Sequence, residues 1–175
     1  NGSDVLTVLT TDAGGLTDAD SVNITVTAVN DAPVLATTST LAYTENQIAT
    51  AINTASVLSD VDNTTFASAT VTVKDASNNV LAEDVLSFTN VSMGNIVASY
   101  ANGVMTLTSD GATATQAQWQ AALRAVAYSN LATTPTITER TISYVINDGT
   151  GSATANSAAV TSTINLTPVN DAPVL

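Results

Sequence analysis

Cysteine and histidine are both missing from this chain. Without cysteine, no disulfide holds the fold and no thiol chemistry is available. Without histidine, there is no imidazole base, no Ser-His-Asp arrangement and no His-ligated zinc. Positive charge is scarce: Lys74, Arg124 and Arg140 stand against 15 acidic residues, for a net charge of −12. No basic patch can form, so neither a nucleic-acid partner nor an anionic membrane surface is expected. No apolar run reaches transmembrane length, and no membrane insertion is expected. No glycine-rich loop of the phosphate-cradling kind occurs. Paired carboxylates can hydrolyse glycosides, but the acids here fall at strand ends beside linkers, and the chain is not expected to be an enzyme. No signal peptide and no initiator Met open the sequence, which fits an internal piece of a longer protein.

Apolar residues make up 45% of the chain and charged residues only 10%. That is enough for a real core and too little charge for a disordered acidic tail. Abundant Thr, Ala, Val, Asn and Ser suit strands and polar turns. An acidic, cysteine-free chain of this kind must gain rigidity elsewhere, and metal ions are the obvious source. The strongest pattern is a heptad, Val-Asn-Asp-Ala-Pro-Val-Leu, found at Val29–Leu35 and again at Val169–Leu175. Identical linkers at long range mark a tandem array. The expected division is therefore the last hairpin of a preceding repeat (1–28), a linker (29–33), one complete repeat (34–168) and a second linker (169–175). Within the heptad, Asn and Asp supply oxygen ligands, Ala-Pro stiffens the exit and Val-Leu begins a strand, which suits a calcium-clamped hinge.

Most of the chain reads as strands. Val5–Thr10 and Ser21–Ala28 bracket a turn at residues 11–18, and Arg140–Ile146 and Ala158–Leu166 bracket Asn147-Asp-Gly-Thr-Gly151. Both hairpins run into the heptad, so the first is the counterpart of the second. Two strands alone are marginal in water, so residues 1–28 are expected either to be weakly ordered or to borrow a neighbour's sheet edge. Further strands are predicted at Val34–Thr44, Ile48–Ile52, Ala67–Lys74, Val85–Asn90, Ile96–Tyr100 and Val104–Thr108, with a hairpin turn at Ala101-Asn-Gly103. Short strands separated by frequent turns argue for an all-β sandwich. One segment breaks the pattern. Thr115–Tyr128 places Trp119, Ala122, Leu123, Val126 and Ala127 on one helical face, and Thr115 with Gln118 can form a capping box. A short α-helix over 115–128, packed on the sandwich through Trp119 and Leu123, is predicted.

In order, these motifs resemble the cadherin-like repeats of very large bacterial surface adhesins, including those of the RTX class. The cadherin linker has the form DxNDNAP; Val29-Asn-Asp-Ala-Pro33 and Val169–Pro173 are similar to it, with Thr27 and Thr167 where its first Asp stands. Thr44-Glu-Asn46 resembles the PEN motif without its Pro, and Asp60-Val-Asp62 resembles the DxD loop. Thr138-Glu-Arg140 occupies the place of LDRE, where only Glu139 can ligate. Asn147-Asp-Gly149 resembles the turn before the last strand. The resemblance implies an immunoglobulin-like or cadherin-like sandwich of about seven core strands, here with one inserted short helix. It also implies calcium at each junction, in fewer ions where the first Asp is missing.

The family topology groups Asn30, Asp31, Asp60, Asp62 and Asp148 at the incoming linker, and Glu45, Glu139, Asn170 and Asp171 at the outgoing one. Calcium takes six to eight oxygens of these kinds. Read singly, such acids are ordinary turn residues. Asp75, Glu83, Asp84 and Asp110 lie outside the motifs and are expected to be solvated turn residues. Asp12 is the counterpart of Asp148, and Asp4 lies near the place of Glu139. Asn-x-Ser/Thr triplets start at Asn1, Asn23, Asn63, Asn90 and Asn165 and are expected from composition alone. Two functions follow. One is a calcium-stiffened extender on a bacterial cell surface, serving adhesion or biofilm formation, with neighbouring repeats as partners alongside homophilic or host-surface contacts. The alternative is a module that binds carbohydrate or protein directly. Aromatics are only 4% of the chain, and a sugar site needs exposed rings beside polar groups, so the extender leads.

Overall fold

The computed structural model describes residues 2–37 and 39–172. Asn1, which opens the first triplet, Thr38 of the predicted strand Val34–Thr44, and Pro173–Leu175 of the second heptad lie outside the described residues. Two compact units divide the chain between Asn30 and Asp31, inside the first heptad.

The first unit is a hairpin of β1 (Gly2–Thr11) and β2 (Thr17–Val26), antiparallel, with Gly2 opposite Val26 and Thr11 opposite Thr17. Asp12 shapes its turn: one carboxylate oxygen accepts the N–H groups of Gly14 (2.8 Å) and Leu16 (2.9 Å). Every strand side chain of this unit is exposed.

The second unit is an all-β sandwich with one short helix. Its strands are β3 (Val34–Ala36), β4 (Thr40–Thr44), β5 (Thr50–Ala51), β6 (Val57–Ser59), β7 (Ser68–Asp75), β8 (Asp84–Ser87), β9 (Ile96–Ala101), β10 (Val104–Ser109), β11 (Ala127–Asn130), β12 (Arg140–Asn147) and β13 (Val160–Thr167). One sheet runs β4-β13-β12-β7-β10-β9. Its pairs are antiparallel except β4 and β13, which run parallel. A three-stranded sheet, β5-β11-β8, and the pair β3-β6 complete the sandwich. Alternation on β7 and β12 sends Ala69, Val71, Val73, Ile142, Tyr144 and Ile146 inward and Thr70, Thr72, Thr141 and Ser143 outward, as a half-buried sheet requires. Tyr43 of β4 and Tyr128 of β11 meet edge to face, with ring centroids 4.9 Å apart, so the core spans both sheets. The turn joining β9 and β10 has Asn102 and Gly103 at positive φ (50° and 75°). A Cβ at position 103 would sit 2.7 Å from Val80, so glycine is needed there for space as well as conformation.

Helix α1 (Gln116–Ala125) starts with the expected capping box, the Thr115 hydroxyl accepting from the Gln118 N–H and the Gln118 side chain from the Thr115 N–H. Trp119, Ala122 and Leu123 are buried, and the Trp119 indole donates to the Phe66 carbonyl (2.9 Å). A second stripe has its own use. Gln116 donates to the Leu58 carbonyl (2.8 Å), Gln120 accepts from the Leu58 N–H (3.2 Å), and Arg124 donates to the Ser56 carbonyl (2.9 Å). The helix thus covers the open edge of β6 with side-chain hydrogen bonds, which blunts an edge that would otherwise invite pairing.

Several boundaries differ from expectation. The helix ends at Ala125, because Val126 turns extended and Ala127–Asn130 pairs with both β8 and β5. Tyr128 is therefore a strand residue. The single strand predicted over Val34–Thr44 is two strands with different partners, β6 and β13. The short strand β6 was not predicted.

Three acids expected to be solvated are not. Asp84 is 2% exposed. Its carboxylate accepts from Arg140 Nε (2.7 Å), the Tyr128 hydroxyl (2.5 Å) and Asn130 Nδ2 (3.0 Å). Glu83 bonds the other side of the same guanidinium (2.7 Å), which is itself fully buried, and Arg140 also donates to the Thr138 carbonyl and hydroxyl. Burial works against the charged guanidinium, and the Asp84 carboxylate outweighs it, so the Arg140 pKa is raised. Burial and the Asp84 hydrogen bond push the Tyr128 phenol up as well. Asp75 is buried because it closes its own turn, accepting from the N–H groups of Asn79 (2.7 Å) and Ser77 (2.9 Å), which hold its pKa down. Asp110 is exposed, as expected.

Candidate metal centre

Strand order fixes which acids share an end of the sandwich. Asp31 lies three residues before β3, whose Val34 pairs with Ser59 at the end of β6, next to Asp60. Asp148 follows β12, and the Ala67 N–H that introduces β7 bonds the Asn147 carbonyl (3.0 Å). Asp31, Asp60, Asp62 and Asp148 therefore lie at one end. At the other, Glu45 follows β4, whose Thr44 pairs with Thr167 of β13. Glu139 precedes β12, whose Arg140 pairs with Ile164 of β13. Glu45, Glu139, Asn170 and Asp171 thus share the opposite end. Asn30 is the last residue of the hairpin unit.

At the first end, Asp60 organises its own loop. One carboxylate oxygen accepts the N–H groups of Asp62 (3.1 Å) and Asn63 (3.0 Å), a local turn in which aspartate replaces a backbone carbonyl. Its second oxygen, Oδ2, is buried with no hydrogen-bond partner among the described residues. Asp62 is more open, and its carboxylate accepts from the Asp31 N–H (3.2 Å) and from Asn63 Nδ2 (3.3 Å). The two carboxylates sense each other. Burial raises the Asp60 pKa and the neighbouring Asp62 charge adds to it, over the opposing effect of the two N–H donors. Asp62 is held down by Asp60 and by the Asp31 N–H. This is the signature of two acids sharing one site, where one ionises easily and the other resists.

Asp148 is 4% exposed and bonds the N–H and hydroxyl of Thr150, both at 2.8 Å. Gly149 follows at φ 88°, and a Cβ there would meet the Ala67 Cβ at 2.8 Å. Glycine thus lets this turn press against the segment that leads from the Asp60 loop into β7.

At the second end, Asn46 takes a left-handed conformation (φ 65°), so the chain turns sharply as it leaves β4. That turn carries Glu45 inward to 4% exposure. The Glu45 N–H bonds the Thr167 carbonyl (2.9 Å), and its Oε2 accepts the Val169 N–H (2.7 Å). Oε1 is buried without a hydrogen-bond partner among the described residues. Glu45 lines a cleft of about 300 Å³ together with Pro135, Pro168, Asn170 and Asp171. The exposed Glu139 does not line that cleft. The Glu45 carboxylate therefore ties the second heptad to the sandwich through one oxygen and leaves the other without a donor.

Among the described residues no three acidic side chains come close enough to enclose a metal by themselves. The two ends still fit a hard cation that takes oxygen ligands of mixed origin. Each carries one buried carboxylate oxygen without a donor, and leaving such a group unpaired costs about 1–3 kcal/mol. A cation would satisfy an unpaired anionic oxygen, and a proton donor is the alternative. Asp60, with Asp62 and Asp31 beside it, would hold an ion at one end. Glu45, with Asp171 and Asn170, would hold one at the other. Backbone carbonyls and water supply what remains of a calcium shell. The sequence indicated these acids through their motif order, but the orphaned oxygens and the Glu45–Val169 tie became visible only in three dimensions.

All seven aromatic side chains are buried or half-buried. Among the described residues no helix is long and apolar enough to cross a membrane. A search of protein-family models and of curated proteins finds no match to this chain.

Proposed function

We propose that this chain is a non-enzymatic, calcium-binding extender repeat of a cadherin-like kind, from the surface of a bacterial cell. Calcium at each end of the sandwich stiffens the junction with the neighbouring repeat, and the array holds a distal adhesive domain away from the cell in adhesion or biofilm formation. One observation carries the reading. Residues of both heptad copies bond acid side chains of the sandwich, one at each end: the Asp31 N–H meets Asp62 and the Val169 N–H meets Glu45. A linker seated on acids at both ends is suited to repetition. A cation filling the orphaned oxygens of Asp60 and Glu45 would lock each linker to its sandwich.

Direct carbohydrate binding is the weaker reading, because no aromatic ring is exposed to stack on a sugar. The test is mechanical. Two copies of the repeat, residues 31–170 joined to residues 31–172 so that the heptad is restored at the junction, should scatter as an extended rod in millimolar calcium and shorten or bend after chelation. An unchanged maximum dimension, together with specific retention on a glycan array, would favour the binding module.

A further inference from the structure

The hairpin β1–β2 repeats the design of β12–β13 but leaves its inner face bare. Aligning the two heptads places Val22, Ile24 and Val26 over Ser162, Ile164 and Leu166. Strand register then fixes the partners. Ile24 lies opposite Asp4 and Ile164 opposite Arg140, while Val22 lies opposite Leu6 and Ser162 opposite Ile142. Directly paired residues point to the same side of a sheet, so Leu6, Val22, Ile24 and Val26 share one face with Val8. In the sandwich the corresponding residues are core: Ile142 and Ile164 are 0% exposed and Leu166 is 8%. In the hairpin, Leu6 is 53%, Val22 54%, Ile24 45% and Val26 61% exposed. The outer edges differ in the same way. β12 is flanked by β7 and β13 by β4, whereas among the described residues β1 and β2 pair only with each other.

We propose that this face docks a segment of the same polypeptide, N-terminal to Gly2 and built like residues 34–130. Such a segment would lay one antiparallel strand beside β1, as β7 lies beside β12. It would lay one parallel strand beside β2, as β4 lies beside β13. The sandwich itself shows what covers a hairpin of this pattern. The inference rests on the tandem-repeat part of the proposed function and not on calcium.

Charge sharpens the identity of that segment. Asp4 occupies the position of Arg140, whose guanidinium is buried between Glu83 and Asp84. A buried Asp4 needs the opposite partner. The covering segment therefore carries a lysine or arginine where the sandwich carries Asp84. Residues 34–130 themselves would present the wrong sign to Asp4, so the preceding segment is a relative of this sandwich and not a copy of it.

The test joins residues 31–139 directly ahead of Asp4 of the chain, so that β1–β2 takes the place of β12–β13. Hydrogen exchange of β1 and β2 is then compared with that of the 175-residue chain, both in EDTA, which makes the outcome independent of calcium. Protection should rise by about a hundredfold in the fusion that carries Asp4→Arg, which restores the partner of Asp84, while the same substitution leaves the 175-residue chain unchanged. It should rise less in the unsubstituted fusion, where Asp4 faces Glu83 and Asp84. Equal exchange in the chain and in both fusions would overturn the proposal. So would a hairpin already protected in the 175-residue chain with a dimeric mass by light scattering, since a second copy would then be the occupant. A fusion that gains protection but does not respond to Asp4→Arg would overturn the charge pairing.

Discussion

Asp84 and Glu45 are equally hidden, at 2% and 4% exposure, and their surroundings differ in kind. Around Asp84, Arg140, Tyr128 and Asn130 together satisfy both oxygens. Glu45 receives one backbone N–H, and its other oxygen has no donor among the described residues. Asp60 repeats the second situation at the far end, with an acid for a neighbour in place of an arginine. The difference separates a structural carboxylate from one suited to a cation. Burial alone does not mark a candidate cation site; a buried carboxylate oxygen left without a donor among the described residues does.

The largest expected effect comes from breaking the satisfied group. Arg140→Ala leaves Asp84 buried without its counter-charge and should cost about 3–5 kcal/mol, read as a lower denaturant midpoint that calcium does not restore. Trp119→Ala should lose roughly 3–5 kcal/mol through cavity formation and a lost indole hydrogen bond. The Trp119 indole bonds the Phe66 carbonyl and no acid of either end, so a calcium-dependent shift in melting temperature should persist in the variant. An unchanged midpoint for Trp119→Ala would show that the packing of α1 contributes little.

The unsatisfied acids should behave in the opposite way. Saturating calcium should stabilise the chain by mass action, by about 2.7 kcal/mol at a hundred times the dissociation constant. Glu45→Gln and Asp60→Asn should each remove part of that gain. Without calcium both variants should hold or raise the melting temperature, because each removes a desolvated charge while the amide oxygen still accepts the N–H groups that the carboxylate held. A variant that destabilises equally with and without calcium would place its residue with Asp84, as a structural acid.

The smallest effect is in pH. The Asp60 pKa is raised in the folded chain above the ordinary 3.8. Its favourable contribution is therefore complete below about that value and is lost as pH climbs through the raised one. Asp62 is lowered, so its contribution is present above the ordinary value and is lost as pH falls through the lowered one. With calcium bound, the ion favours both ionised forms. Calcium stabilisation should grow as pH rises through the carboxylate range, level off above it, and vanish toward about pH 4. Thermal melts across pH 4–7, with and without calcium, would check the sign.

Much of this was legible in the sequence, for physical reasons. Ile142, Tyr144 and Ile146 alternate, so β12 could be read without its partners. Thr115 and Gln118 announced the start of α1 through local hydrogen bonds. Its end was not legible, because Val126 and Ala127 continue the helical spacing while Tyr128 is claimed by Tyr43 and by pairing with Leu86. β6 is three residues long and carries no period of its own. Asp84 resembled a turn residue because its partner Arg140 lies 56 positions away, beyond any local pattern. The grouping of the acids at two ends came from the topology that the cadherin-like resemblance implies, and Glu139 does not line the cleft of Glu45. Which of their oxygens lack donors depends on side-chain packing and was not readable.

Calorimetric titration of calcium into the 175-residue chain, beside the Glu45→Gln, Asp60→Asn double variant, tests the central claim most directly. The expected result is saturable binding to the parent chain, lost or strongly weakened in the double variant while its fold remains intact by circular dichroism. Equal heats for the two proteins, or none for the parent chain up to millimolar calcium, would contradict it.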